Sequence, residues 1–138
     1  MRELMKSTSL FTFLILVFAA FTTTSSQAGS PPTAPLYNPA AIQVPDGTTL
    51  DAVKKAVRKG LYLKDWQISD AGPDRLAGLF RKGDKYSISV EIEYSPKSVG
   101  IKYKDSNGLY YDAGIIHRTY NERVLDLEKA IRAELDAF

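Results

Sequence analysis

The chain has 138 residues, a formal net charge of +2, one histidine and no cysteine, and its only methionines are Met1 and Met5. Disulfides, thiolate nucleophiles and soft copper sites are excluded, and a conventional zinc site would lack most of its nitrogen and sulfur ligands. A charge so close to zero gives no electrostatic basis for binding nucleic acid, whose affinity comes largely from clustered Lys and Arg.

Arg2 and Lys6 open the chain, Leu10 to Phe21 runs LFTFLILVFAAF, and a polar stretch ends in Ser26-Gln27-Ala28. This is the three-part layout of a secretory signal peptide, with small residues before the cleavage point, so residues 1–28 are expected to be removed. As a helix the apolar run would span only about 18 Å, against a hydrocarbon core of roughly 30 Å, so no transmembrane anchor is expected in the mature chain. Cleavage removes Arg2, Lys6 and Glu3 and leaves a formal charge of +1. The expected location is the periplasm or the exterior of the cell.

Residues 29–45, GSPPTAPLYNPAAIQVP, hold five of the seven prolines. Proline removes backbone donors and favours extended chain, so this segment reads as a strap or linker. Leu36, Tyr37, Ile42 and Val44 are apolar enough for part of it to dock as an edge strand. Residues 46–138 are expected to form a single α+β domain with one core.

A helix should start near Thr48 or Thr49, with Leu50, Val53 and Val57 on one face and Ala56 beside them. Lys54, Lys55, Arg58 and Lys59 gather toward its end, and Gly60 reads as its stop. Trp66 to Ser69 and Arg75 to Arg81 read as strands. In Lys85 to Tyr94, Tyr86, Ile88, Val90, Ile92 and Tyr94 alternate with Ser87, Ser89, Glu91 and Glu93, the period of a strand with one wet face. Val99, Ile101 and Tyr103 continue the pattern after the Ser95-Pro96-Lys97-Ser98 turn, so these two strands should pair antiparallel. Asn121 reads as the cap of a last helix with Val124, Leu127, Ile131, Leu135 and Phe138 as its apolar stripe and Glu128–Arg132 as an i,i+4 pair. The fold expected is a four-stranded antiparallel meander with two helices on one face, in the order α-β-β-β-β-α.

The densest polar and aromatic stretch is Lys104 to Asn121, KDSNGLYYDAGIIHRTYN, which contains the sole histidine. Asp105, Tyr111, Asp112, His117 and Tyr120 are its candidate binding residues. Ser106, Asp112 and His117 have the residue types of a hydrolytic triad, but no G-x-S-x-G elbow surrounds a serine. The simpler role is a connection held in shape by its side-chain hydrogen bonds. No catalytic residue, metal ligand or cofactor is assigned. The polar strand face, with Ser87, Ser89, Glu91, Glu93, Lys102 and Lys104, could recruit another chain by strand addition; plain solvation is its alternative.

YKDSNGLYYD followed by IHRTYN and a helix with a Val-Leu-Ile stripe resembles a family of small bacterial envelope proteins. Many of its members read as lipoproteins without an assigned activity. The similarity runs from near Thr48 through the last helix, and Tyr103 to Ser106 and His117 to Asn121 are its most specific residues. It implies an envelope location and an α+β fold, and it offers no catalytic residues. This chain lacks the cysteine of the lipoprotein members at the cleavage point and is expected to carry no lipid. The function expected is a non-enzymatic interaction or binding module whose partner is another envelope protein or a small ligand. The alternative is a small periplasmic, hydrolase-like enzyme using His117 and Asp112. A third option is a ligand cleft between helices and sheet.

Overall fold

The computed structural model describes residues 31–138. The expected signal peptide lies outside the described residues. Two short strands come first, β1 (Thr33–Pro35) and β2 (Ile42–Gln43), followed by helix α1 (Leu50–Leu63). The strands β3 (Gln67–Gly72), β4 (Arg75–Lys82), β5 (Tyr86–Tyr94) and β6 (Ser98–Asn107) come next, and β7 (Ile115–His117) leads into helix α2 (Arg118–Leu135). The α+β class is as expected. The four-stranded meander is not: the main sheet has five strands, ordered β2-β6-β5-β4-β3, and β1 and β7 form a second, two-stranded sheet. Both additions involve the proline-rich strap. β2 is the strap docked as an edge strand, as its apolar residues suggested; β1 and its pairing with β7 were not expected, since strands of two and three residues are too short to carry a period-two signal.

The alternation read in β5 is the one observed, with Ile88, Val90, Ile92 and Tyr94 buried and the intervening Ser and Glu on the open face. Leu76 and Phe80 of β4 and Val99 and Ile101 of β6 join them on the buried face. The helices bring Val53, Val57, Leu61, Val124, Leu127, Ile131 and Leu135 to the same core. Ladder register shifts at two places: between Asp70 and Gly72 of β3, and at a bulge in β6, where Val90 faces Tyr103 but Ser89 faces Asp105, leaving Lys104 as the extra residue.

Two helix ends differ from their expected positions. Thr49 caps α1, its hydroxyl accepting the Ala52 N–H at 3.2 Å, but the helix runs through Gly60 to Leu63. Gly60 is buried where α1 meets α2: a Cβ there would lie 2.7 Å from Ile131 Cγ1 and 3.1 Å from the Ile131 nitrogen. Its lack of a side chain serves close helix packing rather than termination, and the four cations sit on the helix body. At α2 the cap is His117, not Asn121, because the Nδ1 of His117 accepts the Thr119 N–H at 3.1 Å. Asn121 is thereby inside the first turns of the helix, free to bind elsewhere.

Gly60→Val should lower stability by about 1–3 kcal/mol through overpacking against Ile131. Gly100→Ala, where a Cβ would meet nothing within 4 Å, should change it by less than about 0.5 kcal/mol. Denaturant midpoints of the two variants check this pair.

Candidate functional site

The connection from β6 to α2 is a tight hairpin of its own. Leu109 is buried, and its carbonyl accepts the His117 N–H at 2.8 Å. Asp112 and Ile115 exchange both backbone hydrogen bonds at 2.9 Å. Ala113 (φ 47°) and Gly114 (φ 83°) close the turn in left-handed conformations. The returning strand β7 is then covered by β1, which pairs Thr33 with His117 and Pro35 with Ile115.

This geometry separates the candidate residues into different jobs. Asp112 sits exposed in the turn. Asp105 is exposed on β6, where its Oδ1 accepts the N–H of Ser106 at 2.9 Å. Ser106 Oγ lies 3.0 Å from the Tyr103 hydroxyl, and His117 Nδ1 is taken up by the helix cap. Ser106 and His117 are thus each engaged with a different partner, and the Asp112 carboxylate bonds to neither of them. His117, accepting at Nδ1, carries its ring proton on Nε2. Tyr111 and Tyr120 do come together, through a residue outside the expected set. The Tyr103 ring stacks on Tyr111 at 4.5 Å and meets Tyr120 edge-on at 5.5 Å. Tyr111 is exposed and Tyr120 buried, so Tyr103 joins surface to core. In the sequence Tyr103 reads as one more apolar position of a strand, and nothing in its spacing marks it as a hub.

Tyr103 also lines an open cleft of about 730 Å³ between the strap and β6. Pro39 and Ala41 line one side, Gly100, Ile101 and Lys102 the other, and Glu93 lies beyond them. The strap pairs with β6 at Ile42–Val99 and Gln43–Ser98, then leaves it. Asn121 draws the strap away: its Oδ1 accepts the Tyr37 N–H at 2.8 Å, and its Nδ2 donates to the Pro35 carbonyl at 3.0 Å. The Tyr37 hydroxyl donates to Glu128 at 2.6 Å, and Arg132 pairs with that carboxylate at 3.0 Å.

Donation to the Glu128 carboxylate holds the Tyr37 phenol above its ordinary range, with burial adding to the effect. Burial, with Tyr103 nearby, raises Tyr120 much further. Lys102 reaches back across the ladder to Glu93 at 3.1 Å. Among the described residues no cluster of side chains could hold a metal ion, and no helix is long and apolar enough to cross a membrane. Compared with protein-family models, curated proteins and solved structures, the chain matches none.

Two predictions follow from these bonds. His117→Ala should lower stability by roughly 0.5–2 kcal/mol through loss of the cap, and His117→Asp, a better capping residue, should restore it; thermal melts of both variants test the assignment. A tyrosine raised in the folded state favours folding fully below its unfolded pKa, about 10, and loses that contribution as pH climbs toward the folded value. Stability should therefore fall above about pH 10, and Tyr120→Phe should flatten the decline. Denaturant titrations between pH 8 and 11 provide the measurement.

Proposed function

We infer that this protein is an exported, non-enzymatic interaction module of the bacterial envelope, acting through the cleft between the strap and β6. One observation carries the reading: the cleft lies beside strand backbone that has no partner among the described residues, while Ser106 and His117 are taken up by a tyrosine and a helix cap and Asp112 stands apart from both in solvent. The signal-like N-terminus and the resemblance to small envelope proteins support the location. An enzyme using His117 and Asp112 would need His117 to give up the cap of α2 and Asp112 to act from the tip of an exposed turn.

A photo-crosslinking amino acid placed at Lys102, in the cleft, should yield a discrete protein adduct in cells of the producing bacterium. The same group at Gln67, on β3 at the far edge of the sheet, should yield none. Absence of adducts at Lys102, or a hydrolytic activity of the purified protein abolished by both His117→Ala and His117→Asp, would overturn the reading.

A further inference from the structure

The alternation of an antiparallel ladder identifies which backbone groups of β6 point into the cleft. The Val44 N–H bonds to the Lys97 carbonyl, so Lys97 faces the strap, and Val99, Ile101 and Tyr103 face the same way. The other side agrees: the Tyr94 N–H points toward Asp74, away from β6, as expected where Tyr94 opposes Val99 in a pair without mutual hydrogen bonds. Val99 is covered by Ile42. Ile101 and Tyr103 are not paired in this way, since among the described residues none of the backbone bonds outside the ladder reaches either one. Past Tyr103 the edge is closed by the Lys104 bulge and by Asp105, which takes up the Ser106 N–H. On β6, what remains unpaired among the described residues is one short stretch of strand edge, Ile101 to Tyr103.

We propose that this stretch takes an extended segment of another protein as an added antiparallel strand, with a carboxylate side chain facing Lys102. Strand addition gives affinity through main-chain bonds and specificity through alternate side chains. A second copy of this chain is a poor guest: pairing the same edge about a twofold axis would set Lys102 directly against Lys102, and like charges opposed in a ladder are destabilising. An acidic guest is favoured by the row it would extend. On the open face Glu91 opposes Lys102, and a carboxylate in the next position continues the alternation of sign. Glu93, the present partner of Lys102, sits on the β5 side, so the outward side of the ammonium is left to the guest. Lys104, exposed and in no ion pair among the described residues, adds a second positive charge along the edge.

The test uses three blocked, soluble pentapeptides of alternating valine and threonine with glutamate, serine or lysine at the centre, short enough to lie between Val99 and Asp105. Resting on the module reading above, it is read by titration and by amide hydrogen exchange of the purified protein. The glutamate peptide should slow exchange at Ile101 and Tyr103 and bind roughly fivefold more tightly than the lysine peptide. Lys102→Glu should reverse that order and Lys102→Ala should level it, each with an unchanged amide spectrum away from the cleft. Failure of all three peptides to bind, binding that leaves the Ile101 and Tyr103 amides unprotected, or an order indifferent to Lys102→Glu would overturn the proposal. Should adducts still form at Lys102 while the peptides fail, strand addition falls and the interaction module stands.

Discussion

The two hydrogen bonds from Asn121 to the strap set the arrangement of everything around the cleft. A side-chain amide that accepts from Tyr37 N–H and donates to Pro35 C=O does for the strap what a neighbouring strand would do, meeting one donor and one acceptor of an extended backbone. Because that partner stands on α2, the strap crosses from β7 to the helix before it reaches β6. Pro39, in the crossing, has no N–H to offer a ladder. The strap therefore joins β6 at Ile42, and the edge beyond Val99 is left uncovered. Tyr37 and Glu128 reinforce the crossing from the helix side. Glu128 is buried, and its two carboxylate oxygens are met by the Tyr37 hydroxyl and by Arg132.

The same economy of partners explains the loop that carries the sole histidine. Its turn is closed by backbone bonds between Asp112 and Ile115, its stem by Leu109 and His117, and its exit by the His117 cap. Tyr103, Tyr111 and Tyr120 then stack it against the sheet and the core. Each catalytic-looking side chain in this segment already has a structural task or stands apart in solvent.

Elements with long, regular patterns were legible in the sequence. The alternation of β5 and the stripe Val124, Leu127, Ile131, Leu135 needed nothing beyond their own periods to declare a face; Phe138, expected to end that stripe, instead lies exposed beyond the helix. Gly60 and Asn121 were misread for one reason: local preference suits them to helix ends, and partners remote in sequence, Ile131 and the strap, put them inside helices instead. The fifth strand is the edge docking that Ile42 and Val44 suggested for the strap, but its partner and register were not legible, because pairing over two residues leaves no pattern. Of the candidate site, the aromatic residues Tyr111 and Tyr120 were visible, but the residue joining them was not, since a strand tyrosine looks the same whether it packs or organises.

An open edge is a hazard as well as an opportunity, and β6 shows both. Natural sheets protect edges with lysines, bulges and short strands. Lys102 and Lys104, the bulge, the Asp105 cap on Ser106 and the brief cover by β2 are all devices of that kind. Together they leave only Ile101 to Tyr103 unguarded by backbone, with a lysine at its centre that opposes self-pairing. An edge meant only to be silent would gain most from cover at its middle. Here Asn121 and Pro39 turn the strap away over that stretch, and the opening is bounded on both sides by protection. That pattern fits a short slot for one foreign strand better than a fraying end, because fraying would loosen the edge from its terminus inward rather than open it between two closed segments.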